Sequence, residues 1–157
     1  MDDDKLRTAK FYVLRLINIR PRSNKELQDR LVEKGYPADV IETLVAEFAA
    51  KGILDDAKFS KLWIDSRASF KPKGRSVLKR ELQAKGVSGQ VIEQALKEAD
   101  KDYNEYDVVK KLAEGRMKRL QGLDNTTTKR RLFGFLKRRG FGFDIIMKVI
   151  DECIHEN

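Results

Sequence analysis

One cysteine, one histidine, three prolines and no long apolar run bound what this 157-residue chain can be. Cys153 has no second thiol for an internal disulfide, and with His155 alone beside it no Cys/His zinc cluster can form. No stretch approaches the ~18 consecutive apolar residues of a membrane span, so no membrane partner is expected. Met1-Asp2-Asp3-Asp4-Lys5 is unlike a secretory leader, and a cytoplasmic location is expected. Sustained alternation of apolar and polar residues is missing, which argues against strands. Glycine-rich loops followed by Lys-Ser or Lys-Thr are missing too, and Gly140-Phe141-Gly142 is too short for a dinucleotide fingerprint. Cys153 shares a helical face with Ile146, Val149 and Ile150, which suits packing better than nucleophilic attack. Neither an enzyme nor a cofactor or metal site is expected.

Charge, by contrast, is plentiful. Charged residues make up 37% of the chain, above the usual ~25%, and Lys plus Arg outnumber Asp plus Glu by 33 to 25. Residues 1–58 balance at 11 basic and 11 acidic side chains, whereas residues 59–104 and 105–157 each carry a net of +4. The excess of +8 therefore lies wholly beyond the first third, and a polyanionic partner is the natural expectation.

The chain also repeats itself. Leu27, Leu31, Gly35, Tyr36 and Ile41 recur as Leu78, Leu82, Gly86, Val87 and Ile92, and again as Leu132, Leu136, Gly140, Phe141 and Ile146. Leucines four apart share a helix face, and a glycine four further on suits the left-handed residue that ends a helix. A second helix follows, marked by Val40, Ile41, Leu44, Val45 and Phe48 in the first copy. Ser23-Asn24-Lys25-Glu26 is a capping box, and Ser88 stands where the next cap belongs. A further helix precedes each pair: Leu6 to Ile19 with Phe11, Leu14 and Ile17 or Asn18 at helical spacing, a second opened by Asp55-Asp56 with Phe59, Leu62, Trp63 and Ser66, and a third from Glu105 to Leu120. The expectation is an all-α chain of nine helices in three tandem helix-turn-helix-like units, residues 1–54, 55–104 and 105–157, forming an elongated, curved array. Residues 71–74 and 122–127 are the expected loops.

Basic residues gather around the same helix of each unit. Arg20 and Arg22 precede the capping box of the first. Lys71, Lys73, Arg75, Lys79 and Arg80 occupy the loop and first turns of the second. In the third, a helical wheel puts Leu132, Phe133, Phe135 and Leu136 on the inner side and Arg130, Arg131, Lys137 and Arg138 around Gly134 on the outer. Such faces suit a DNA backbone or a groove in a nucleoprotein filament, while side chains that read base edges are sparse. A free-standing helix-turn-helix DNA-binding protein, such as a transcriptional regulator, remains an alternative.

Gly52-Ile53-Leu54-Asp55-Asp56-Ala57-Lys58-Phe59, then Ser66-Arg67, Gly74 and Glu81-Leu82-Gln83-Ala84-Lys85-Gly86-Val87, resembles the central signature of the RecX family. Arg22 to Leu27 with Lys34-Gly35-Tyr36, and Arg138-Arg139-Gly140-Phe141, resemble its flanking repeats. The family's arginine after the paired aspartates is Lys58 here, which keeps charge but loses bidentate geometry. The resemblance implies a cytoplasmic, monomeric regulator without cofactor. Its partner would be the RecA recombinase filament, with single-stranded DNA as a second contact, and it would inhibit ATP hydrolysis and strand exchange. Arg67 joins the eleven basic residues above as a candidate contact.

Overall fold

The computed structural model describes residues 2–156, and among them it contains nine helices and no strand. They are α1 (Asp3–Ile19), α2 (Asn24–Glu33), α3 (Ala38–Ala50), α4 (Asp56–Phe70), α5 (Arg75–Ala84), α6 (Gly89–Ala99), α7 (Glu105–Met117), α8 (Asn125–Arg138) and α9 (Phe143–His155). Their starts are written in the local sequence. Asp2 accepts from the Asp4 and Lys5 N–H groups, Asn104 from Asp107, and Asp124 from Thr127. Ser23 and Glu26 complete the expected capping box. Asp55 accepts from the Ala57 and Lys58 N–H groups, so the paired aspartates do open α4.

The turn after the second helix of each repeat is the same object three times. Gly35, Gly86 and Gly140 have φ of 82°, 78° and 90°, the left-handed region that a Cβ disfavours. The residue after each glycine donates back five positions, Tyr36 to Leu31 O, Val87 to Leu82 O and Phe141 to Leu136 O, at 3.1, 3.1 and 3.4 Å. Each glycine itself donates back three positions, to Val32, Gln83 and Lys137. This double bond closes the helix and swings the following apolar residue onto the leucines, which is why the Leu-x-x-x-Leu-x-x-x-Gly-apolar spacing is kept.

The chain divides into two compact units, Met1–Trp63 with Glu81–Ala95, and Ile64–Arg80 with Leu96–Asn157. Helices α4, α5 and α6 each contribute residues to both. The first unit is built on Ala9, Val13 and Leu16 of α1, Leu27 and Leu31 of α2, Val40, Ile41, Leu44 and Phe48 of α3, and Leu54. The second is built on Val109, Ala113 and Leu120, Leu132 and Leu136 of α8, Phe141, and Ile146, Val149, Ile150 and Cys153 of α9.

Three sequence expectations need correction. Phe11 and Leu14 do not face the core: they are 69% and 41% exposed, and α1 instead buries Ala9, Val13 and Leu16. The small Ala9 lets α1 pack closely on α3, and the larger Phe11 is left on the outer side. Helix α7 stops at Met117 rather than reaching Leu120, because the chain turns through residues 118–122 and Gly122 takes a φ of 86°. Residues 125–127 belong to α8 and not to a loop, because Asp124 caps the helix there.

Candidate nucleic-acid interface

Each compact unit contains one joint between successive repeats, and the two joints use equivalent positions. In the first unit the hydroxyl of Ser23, at the start of α2, donates to the carbonyl of Lys85 at the end of α5, at 2.6 Å. In the second unit the N–H of Gly74, which matches Ser23 in the repeat, donates at 2.6 Å to the carbonyl of Arg139, which matches Lys85. Ser76 Oγ adds a bond to Gly140 O at 2.8 Å, and Arg139 Nη1 donates to Pro72 O at 3.4 Å.

The joints differ in charge. At the first, Glu26 neutralises the cations around it: Arg20 Nη2 lies 2.9 Å from Oε1 and Lys85 Nζ 2.8 Å. Burial alone would raise the Glu26 pKa, but the hydrogen bonds from Arg20, Lys85 and the Ser23 N–H outweigh it and hold the carboxyl at about 2. Lys85 also sits 5.3 Å over the Trp63 ring, whose Nε1 donates to Glu81 at 2.9 Å. Arg22 Nε donates to the carbonyl of Leu16 and ties off the end of α1, and burial together with the neighbouring Arg20 lowers its pKa. Of the expected contact residues, Arg20 and Arg22 are thus held by the protein's own groups.

At the second joint the position of Glu26 is taken by Val77. Lys71 and Lys73, which match Arg20 and Arg22, have no carboxylate there to meet. Arg139 lies over the Phe135 ring at 4.9 Å, and Arg116 of α7 flanks that ring at 5.2 Å. Two guanidiniums therefore share one aromatic side chain, each within cation–π reach of it. The sequence is acid-free on both sides of the joint. No Asp or Glu occurs from residue 66 to 80, which holds Arg67, Lys71, Lys73, Arg75, Lys79 and Arg80, nor from residue 125 to 143. The joint brings these two stretches together.

Ten of the twelve expected contact residues belong to this second unit. Arg130, Arg131, Lys137 and Arg138 of α8 are exposed, as are Lys71, Arg75 and Arg80, while Arg67, Lys73 and Lys79 are half-buried. Arg75 Nη1 reaches Asp100 Oδ2 at 2.9 Å, an exposed pair of the kind worth ~0–1 kcal/mol. The glycine at the centre of the basic face of α8 is not open: the Arg138 guanidinium lies where a Gly134 Cβ would meet it at 3.1 Å. In the third repeat the basic residues sit inside α8 rather than ahead of it, since the positions that match Lys71 and Lys73 are Asn125 and Thr127. Sequence reasoning left Arg116 and Arg139 out of the set. Arg139 differs from its neighbours only through the joint, and Arg116 only through its approach to Phe135 from another helix.

Catalytic geometry is scarce. Burial raises the pKa of the Cys153 thiol, the opposite of what a nucleophile needs, and His155 is exposed. Among the described residues no three His, Cys, Asp or Glu side chains could hold a metal, and no helix is long and apolar enough to cross a membrane.

Comparison with known proteins gives a consistent pattern along the chain. Residues 9–48, 55–96 and 103–150 match the family models described as the first, second and third three-helix domains of RecX. The regulatory protein RecX of Amycolatopsis mediterranei is 33% identical over 154 residues, covering 98% of this chain and 87% of the relative. That of Mycobacterium avium is 35% identical over 143 residues, covering 90% and 82%. The crystal structure of RecX from Lactobacillus salivarius superposes with a TM-score of 0.86 at 21% identity, covering 96% of this chain and 97% of the other. That likeness concerns the fold.

Proposed function

The chain belongs to the RecX family, and from that premise we propose that it is a non-enzymatic cytoplasmic regulator of recombination and DNA repair that acts as a monomer. It binds in the groove of a RecA–single-stranded DNA filament and inhibits ATP hydrolysis and strand exchange. The observation that carries this reading is the second joint, where two acid-free stretches meet and Val77 stands in place of the neutralising Glu26. An excess of one sign of charge on a folded surface costs self-repulsion, which is recovered when a polyanion releases its counterions on contact. Modules 1–54, 55–104 and 105–157 would then play unequal parts. The first is neutralised internally, while the second and third supply Arg67, Lys71, Lys73, Arg75, Lys79, Arg80, Arg130, Arg131, Lys137 and Arg138 as contacts.

The test is the single-stranded-DNA-dependent ATPase of the cognate RecA. Substoichiometric protein is expected to slow hydrolysis, and an unchanged rate at near-saturating protein overturns the proposal. A sequence-specific operator footprint without any effect on RecA would instead favour the transcriptional-regulator reading.

A further inference from the structure

Phe70 is 86% exposed, more than any other large apolar side chain among the described residues. Elsewhere α4 places Phe59 and Ile64 in the interior, but Phe70, eleven residues after Phe59 and so on the same side of the helix, is the last residue of α4 and is not covered with them. Nor is it on a frayed end. The Lys71 N–H still donates to Arg67 O at 3.2 Å, and three residues later the chain is pinned by the bonds from Gly74 to Arg139 and from Arg139 to Pro72. The backbone that follows the exposed ring is thus tied down.

Its surroundings are cationic. Arg67 lies one turn earlier on the helix, Lys71 and Lys73 follow, and the joint ties the same loop to Arg139 at the end of α8. An apolar protein partner would want a continuous apolar patch, and here Arg67, Lys71 and Lys73 interrupt one. An acidic peptide would use the cations and leave the ring idle. Duplex DNA offers phosphates but keeps its base faces stacked inside. A single strand offers both phosphates and open base faces, and that pairing is what an exposed aromatic among Lys and Arg recognises.

We propose that Phe70 is a base-stacking platform for single-stranded nucleic acid, with Lys71, Lys73 and the end of α8 holding the flanking phosphates. Stacking is sequence-tolerant, since every base has a π-face, which accords with the scarcity of base-edge readers. The inference rests on the reading above, which supplies the single strand, and deepens it by naming the side chain that meets the bases.

The experiment uses the full chain and a fluorescein-labelled oligothymidylate of about 16 nucleotides, followed by anisotropy at low salt. Phe70→Ala is expected to weaken binding about 5- to 150-fold, and Phe70→Trp to restore it. On an abasic strand of equal length, wild type and Phe70→Ala should bind alike, because no base is left to stack. Lys71→Gln with Lys73→Gln should weaken binding to both strands. Phe70 is exposed, so its truncation should leave the thermal midpoint unchanged, which separates binding from folding. Unaltered oligothymidylate binding by Phe70→Ala, an equal loss on the abasic strand, or no strand binding by wild type overturns the proposal. Inhibition of RecA by wild type is scored separately, so failure of the filament reading and failure of the stacking platform are told apart.

Discussion

A single methyl group at Gly74 should unseat the second joint. A Cβ built there falls on the carbonyl carbon and oxygen of Gly140 and on the Phe141 nitrogen, well inside van der Waals contact. All three are backbone atoms of a closed helix end, so no side chain can swing aside. The backbone of Gly74 has an ordinary φ, and strain of its own is not the issue. Overpacking of this kind costs about 1–3 kcal/mol. Moving the loop away also forfeits the 2.6 Å bond from Gly74 N to Arg139 O, whose net worth is about 0.5–1.5 kcal/mol. Gly74→Ala should therefore destabilise the protein by roughly 2–4 kcal/mol, a fall in thermal midpoint of about 4–16 °C for a chain of this size. Gly115→Ala is the matched control. Its Cβ would meet nothing within 4 Å inside α7, so replacement should stabilise by about 0.4–1 kcal/mol through the unfolded chain. Differential scanning calorimetry of the two variants against wild type decides the matter. A Gly74→Ala midpoint equal to wild type would show that the loop before α5 does not bear on the α8 turn, and the assembly of the basic face would lose its foundation.

Three other outcomes follow from the same geometry. Glu26→Gln removes the carboxylate that Arg20 and Lys85 share and should cost about 1–3 kcal/mol in urea denaturation at neutral pH. The folded pKa of Glu26, about 2, lies below its ordinary value of 4.5, so the stabilisation is complete above 4.5 and drains away as pH falls towards 2; wild type and Glu26→Gln should converge in stability over that window, and a constant gap would refute the assignment. Reversing charge at Lys73, Arg75, Arg130 and Arg138 should weaken filament engagement with helicity intact, and flatten its dependence on salt, as judged by RecA ATPase and circular dichroism. Leu82→Ala, at a fully buried position of α5, should lower stability by about 2–5 kcal/mol through its cavity.

The helices were legible in the sequence because their signals are local. Ser23 and Glu26 lie within one turn, and the leucine-to-glycine spacing is set by a turn that closes on itself five residues back. The exposed face of α8 was legible for the same reason, since Leu132 and Leu136 fix the helix's rotation. What stayed hidden was tertiary. Nothing in the sequence of α1 says that Ala9 rather than Phe11 meets α3, because size complementarity depends on the partner. Nothing near Arg20 or Lys71 says that one is neutralised and the other is not. That contrast appears only when the two joints are compared and Glu26 is found opposite Lys85 where Val77 stands opposite Arg139.

The third repeat breaks the series in a way that explains its different charge layout. Ser23 and Gly74 act as donors to the next repeat because each sits just ahead of its helix, with its hydroxyl or N–H free of helical duty. Their match in the third repeat is Thr128, and there the helix has already begun: Asp124 caps α8, and the Thr128 N–H is spent on Asp124 O at 2.9 Å. The Thr128 side chain is buried within its own repeat. Early capping by Asp124 thus commits the N–H that matches the Gly74 donor, and the positions that match Lys71 and Lys73 are Asn125 and Thr127 inside the helix, so the third repeat carries no cation there. Arg130 and Arg131 then face outward on a rigid element instead of lining a loop. The third repeat is specialised to receive the second through its α8 turn and to present charge from its helix face, while the second contributes the loop that docks on it.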